Sequence, residues 1–231
     1  MDTEKRTFKL PAVEDYLDYK RLTHLGIFAV YIAYISVDAW VSSLSDDLMN
    51  TAYIVQSLTF FVFLFLFRKV LLHNIRAFGA HLKKYIPFVL VGAVCLFIMM
   101  TLGSTLTSLI LGDAALSNQD SMVSAAARIP FFVVFVMVIV APILEELMFR
   151  RSIRVIVNNR LLYYILSPLL FAMPHIIIGF TFPTSFAQVF TYLFGGLCLA
   201  FIYEKSNNIW CSIFVHFLNN TLAAIVIVAS L

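Results

Sequence analysis

Apolar residues run along this chain in blocks, and the charges gather in the short stretches between them. A helix needs about 20 mainly apolar residues to cross a bilayer. Seven segments qualify, at roughly 25–42, 51–71, 86–111, 129–149, 161–180, 184–203 and 209–230. Asp38 interrupts the first. The third is long, and Gly92 and Gly103 mark places where it can tilt or break. The pattern predicts an all-α, polytopic transmembrane helix bundle of about seven spans.

Composition supports this class. Of 231 residues, 61% are hydrophobic and 13% are charged, against about 25% charged in a soluble domain. The mean hydropathy is +0.93. No long polar stretch is left for a separate soluble domain, and there is no internal repeat, low-complexity run or Pro-rich linker. The polar, mixed-charge start does not read as a cleavable signal, so the first span is expected to stay as an anchor.

Charge placement sets an expected orientation. Lys5, Arg6, Lys9, Lys20 and Arg21 precede span one. Arg68, Lys69, Arg76, Lys83 and Lys84 follow span two. Arg150, Arg151, Arg154 and Arg160 follow span four, and Lys205 follows span six. Only Arg128 falls on the other side. The positive-inside rule then puts the N-terminus in the cytoplasm and the C-terminus outside. The net charge of +3 comes with no basic, aromatic-interleaved surface, so nucleic acid is not an expected partner. Cys95, Cys198 and Cys211 lie in or beside apolar runs without metal or disulfide spacing, and read as core fillers.

Three groups carry candidate chemistry, all in the second half. An ionisable residue at the centre of a membrane helix costs about 2.5–3.5 kcal/mol, so several in one bundle need a reason. The first group is Glu145-Glu146-Leu147-Met148-Phe149-Arg150. Neighbours on an α-helix diverge by about 100°, so Glu145 and Glu146 are not expected to face one partner. Glu146 and Arg150, four apart with the acid first, are expected to pair, leaving Glu145 for chemistry. The second group is Phe171-Ala172-Met173-Pro174-His175, with Phe171 and His175 on one face. The third is His216-Phe217-Leu218-Asn219-Asn220, with imidazole and amide four apart on one face. Each has an ordinary reading as well: a helix end meeting water, a hydrogen-bonded core histidine, polar glue between helices. Gly195-Gly196 read as packing residues.

Depth connects the groups. If span four runs on to about Asn158, Glu145 lies roughly 20 Å from that end, and His175 lies roughly 20 Å from the start of span five. Asn220 lies roughly 16 Å beyond Ile209, so one layer can hold all three. A carboxylate and an imidazole can then share a water, with Glu145 and His175 activating it. His216 and Asn220 can stabilise the oxyanion of a tetrahedral intermediate. No G-x-S-x-G elbow suggests a serine mechanism.

The ordered motifs EELMFR, FAMPH and HFLNN resemble those of the CPBP family, the CAAX proteases and bacteriocin-processing enzymes also called Abi. The likeness covers roughly 130–220, with Gly195-Gly196 and Asn208-Ile209-Trp210 inside it. It implies a four-helix catalytic core around a cavity open to the cytoplasm. It implies Glu145, His175, His216 and Asn220 as catalytic residues, with Glu146, Arg150 and Phe171 in support. It implies a peptide or membrane-protein substrate in the lipid bilayer, and, by analogy, a bacterial cytoplasmic membrane. The family's bacterial members are linked to peptide maturation, signalling and bacteriocin self-immunity. The chain accordingly divides into a cytoplasmic segment 1–24, N-terminal helices 25–128 and a CPBP-like core 129–231.

No cofactor is expected, though alternatives stay open. Glu145, His175 and His216 are possible Zn²⁺ ligands, without an HExxH helix to support them. A non-catalytic bacteriocin-immunity or peptide-binding protein would use the same pocket. A proton-coupled transporter would also bury Glu and His, but the chain shows no inverted repeat.

Overall fold

The computed structural model describes residues 20–42, 44, 46–111, 130–177 and 184–229. The segment 1–19, Arg128 and the loops 112–128 and 181–183 lie outside them, as do the ends of the fifth and seventh expected spans. The described residues form seven helices and no β-strand. These are α1 (Arg21–Ser42), α2 (Asp46–Ala80), α3 (Leu82–Leu111), α4 (130–156), α5 (Arg160–Ile177), α6 (Thr184–Ser206) and α7 (Ile209–Ala229). Four of them, α2, α3, α4 and α7, are long and apolar enough to cross a membrane on their own.

Apolar and polar residues are placed as a lipid solvent requires. Phe61, Phe65, Leu90, Val91, Val94 and Phe97 face outward from α2 and α3, while Glu146 and Arg150 are wholly buried. In water the reverse would hold. Hydrocarbon rewards buried polar pairing and does not penalise an exposed phenylalanine.

Small residues let the helices approach. α3 lies along α6, α5 lies along α6, and α7 packs on α3, α6 and the middle of α4. α3 is one unbroken helix, so its glycines do not break it. A Cβ on Gly103 would sit 2.5 Å from Thr191 Cα and 2.7 Å from Phe190 O, both backbone atoms of α6. A Cβ on Gly196 would sit 2.9 Å from Pro168 Cα on α5, consistent with a packing role for that glycine. Gly103→Ala is therefore expected to destabilise the protein by about 1–3 kcal/mol through overpacking. At Gly79, where a Cβ meets nothing within 4 Å, the same change is expected to stabilise helix α2 by up to about 1 kcal/mol. Unfolding midpoints of the two variants in one detergent check this opposition of sign.

The turn into α7 is tied to α2. Asn208 Oδ1 accepts the Trp210 N–H at 2.9 Å, a side-chain cap on the new helix. Asn208 Nδ2 donates to Asn74 O at 2.8 Å, and Asn74 Oδ1 accepts the Ile209 N–H at 3.2 Å. Trp210 Nε1 donates to Leu71 O at 2.9 Å. These bonds fix where α7 starts, and so the height of every polar residue further along it.

Helix α4 is not a plain α-helix. It runs as α-helix at Pro130–Phe135, π-helix at Val136–Val140, α-helix at Ala141–Glu145, π-helix at Glu146–Ser152 and α-helix at Ile153–Ile156. It passes Arg150 without a break, so Glu145 sits well inside the bundle. Its far end is held by buried contacts. His24 Nδ1 of α1 lies 3.0 Å from Ser152 Oγ, and Arg151 donates to Tyr203 Oη at 3.3 Å.

Candidate active site

Three helices bring their polar residues to the middle of α4. Glu146 and Arg150 form a buried ion pair, Oε2 to Nε 3.3 Å, with neither side chain exposed. The guanidinium also donates to Ser167 Oγ at 3.4 Å and lies 4.5 Å over the Phe171 ring. Ser167 in turn donates to Phe149 O at 2.6 Å. A buried charge needs this kind of enclosure.

His216 of α7 stands between the two glutamates. Its Nδ1 is 3.1 Å from Glu146 Oε1 and its Nε2 is 3.8 Å from Glu145 Oε2. This corrects the expectation that adjacent glutamates cannot share a partner. Two physical reasons apply. An imidazole offers nitrogens on two edges. The π turn that starts at Glu146, with its i→i+5 bonding, is also wider than an α turn, so successive side chains diverge less. Glu146 therefore has two partners, Arg150 and His216.

His175 of α5 is held differently. Its Nδ1 lies 2.9 Å from Phe171 O. A carbonyl can only accept, so Nδ1 carries the hydrogen and Nε2 of the neutral ring keeps a lone pair. The ring stacks on Tyr192 of α6, with centroids 4.0 Å apart and planes at 25°. Phe171 lies between the two imidazoles, 5.0 Å from His175 and 5.8 Å from His216 by centroid. Asn220, one turn beyond His216, donates from Nδ2 to Met137 O of α4 at 2.9 Å. Asn219 Nδ2 donates to Asn220 Oδ1 at 3.2 Å.

The cluster thus contains Glu145, Glu146, Arg150, Phe171, His175 and His216, with Asn220 one turn further along α7 and bonded to Met137 O. Sequence reasoning did not single out Tyr192, Ser167 or the Met137 carbonyl. Ser167 had a signal, because Ser167, Phe171 and His175 repeat every four residues on one face of α5. Tyr192 is one aromatic among many in an apolar run and carried none.

Among the described residues no three His, Cys, Asp or Glu side chains are grouped to hold an ion. Glu145 and His216 approach one another, and His175 has its Nδ1 on Phe171 O and its ring face on Tyr192.

Comparison with known proteins gives the stretch that holds this cluster a family likeness. Residues 127–222 match the model described as type II CAAX prenyl endopeptidase Rce1-like. An uncharacterized protein of Mycoplasma capricolum is 30% identical over 206 residues, 80% of this chain and 57% of that protein. The membrane-embedded CAAX protease MroQ of Staphylococcus aureus is 30% identical over 149 residues, 60% of this chain and 57% of that protein. The UPF0177 protein YvdC of Lactococcus lactis is 29% identical over 147 residues, 62% and 54% respectively. The chain therefore spans somewhat over half the length of these relatives. No solved structure matches. All three motifs fall within the matched stretch, on helices of a membrane bundle, so this stretch is similar to the type II CAAX prenyl endopeptidase Rce1-like model, in keeping with the CPBP resemblance of the motifs.

Proposed function

We propose that this protein is an intramembrane endopeptidase that uses a water activated by Glu145 and His175. One observation carries the reading. Glu145 Oε2 is a buried acceptor that makes no hydrogen bond among the described residues, and it faces His216 Nε2. Such an acceptor calls for a partner, and a bound water would supply one.

In this reading Glu145 takes a proton from the water, with His175 Nε2 accepting a second water hydrogen bond to orient it. The water oxygen attacks the peptide carbonyl carbon, and the carbonyl electron pair moves onto oxygen. That oxyanion accepts from Asn220 Nδ2 and from His216 Nε2. His216 also donates from Nδ1 to Glu146, so in this step it carries both ring hydrogens and Glu146 balances the charge. The tetrahedral intermediate collapses, the C–N bond breaks, and the leaving amine takes the proton from Glu145. An oxyanion donor of this kind is worth about 2.7–4 kcal/mol of barrier.

The substrate in this proposal is a small peptide or a membrane-associated protein, which suits peptide maturation, signalling or bacteriocin self-immunity. The MroQ relative is named a CAAX protease, which favours proteolysis over plain binding. The positive-inside pattern sets the N-terminus in the cytoplasm, with the Arg150–Arg154 end of α4 on that side.

The test is mass spectrometry of candidate peptides incubated with wild-type and Glu145→Gln protein in detergent. New fragments from wild type alone are the expected result. Cleavage, or protection of cells, that survives the substitution overturns the protease reading in favour of peptide binding.

A further inference from the structure

Asn220 is anchored by a main-chain oxygen, and the reason that oxygen is open lies in the sequence of α4. The carbonyl of Met137 sits in the first π stretch, Val136–Val140. Two residues are placed to close on it, one by an α-type bond and one by a π-type bond. The first is Ala141, four residues on, and its N–H goes to Val136 O. The second is residue 142, five residues on, the partner that a π turn calls for. Residue 142 is proline, which has no N–H.

We propose that Pro142 is a positioning residue for Asn220, keeping the Met137 carbonyl open so that this oxygen holds the Asn220 amide. The inference rests on the reading of Asn220 as an oxyanion donor. A carbonyl can only accept, so the amide nitrogen faces Met137. The Asn219 Nδ2 hydrogen bond to Asn220 Oδ1 fixes the same orientation from the other side. One hydrogen of Asn220 Nδ2 goes to Met137 O, and the second is left for a substrate oxygen. A proline inside a helix removes a hydrogen bond and its ring crowds the carbonyl four residues back, here Val138. The π stretch Val136–Val140 ends two residues before this proline. The missing proline N–H and the latch on Asn220 are thus one feature.

The test restores the N–H. Protein labelled with ¹⁵N-asparagine is studied in detergent micelles, with the Asn220 side-chain signal assigned by its loss in Asn220→Ala. In Pro142→Ala and Pro142→Ser the new N–H competes for Met137 O, and both are expected to shift the Asn220 amide signal. In peptide cleavage both variants are expected to lose about 10- to 100-fold in kcat, as for a small misplacement of a reacting group, with KM little changed. Pro142→Ala is expected to add nothing in an Asn220→Ala background. An unmoved Asn220 signal in a folded Pro142 variant overturns the proposal, as do losses that multiply in the double variant. If one Pro142 variant fails to fold, the other decides. If wild type cleaves no peptide, the catalytic reading fails, and the amide signal still decides whether Pro142 holds Asn220.

Discussion

Glu145→Gln is expected to lower kcat by about 10²–10⁴-fold, the usual contribution of a general base, with the unfolding midpoint close to wild type. The Glu145 side chain is 16% exposed, and its approach to His216 Nε2, at 3.8 Å, is too long for a hydrogen bond. The fold does not lean on its charge, and an amide keeps its shape. Glu146→Gln makes the same chemical change one residue later, with a different expected result. Glu146 is fully buried, holds His216 Nδ1 at 3.1 Å and pairs with Arg150. Losing that charge weakens two contacts of an enclosed network and lowers the unfolding midpoint as well as the rate. Measuring kcat and thermal midpoint for both variants separates the roles. If Glu145→Gln lost stability as Glu146→Gln does, Glu145 would be a structural residue and its proposed part in the chemistry would fall.

Arg150→Met is expected to destabilise the protein by about 3–5 kcal/mol, because it leaves the Glu146 carboxylate buried without its cation. Methionine fills much of the arginine volume, so the loss reports charge more than packing. The double variant Glu146→Gln/Arg150→Met removes both charges and is expected to regain most of the loss. It also leaves His216 Nδ1 facing a neutral amide, so its rate should stay low while its stability returns. Unfolding in mixed micelles of mild detergent and dodecyl sulfate gives the free energies. A single variant within about 1 kcal/mol of wild type would mean that the Glu146–Arg150 pair is no more than a surface-type contact.

Much of this architecture was legible beforehand for a simple reason. Lipid admits few solutions for a backbone, so long apolar blocks with charged gaps read as membrane helices. The four-residue spacings of Glu146 with Arg150 and of Phe171 with His175 also survived, because helical geometry decides them locally. The first block was the least regular, and Asp38 lies in α1, which is not among the four helices long and apolar enough to cross a membrane on their own. Expected boundaries were short where charged residues continue a helix, as α2 does through Arg68, Lys69 and Arg76 to Ala80.

The sequence alone determined the helical membrane class, the order of the motifs and which polar residues share a helix face. These follow from hydropathy and from 3.6 residues per turn, and both act within one segment. Only the tertiary structure decided which helix each polar group meets. It put His216 between both glutamates and stacked His175 on Tyr192. It gave the Asn220 amide the Met137 carbonyl of α4. Those pairings depend on interhelical packing, on where Asn208 and Trp210 start α7, and on π turns that change the direction of side chains along α4.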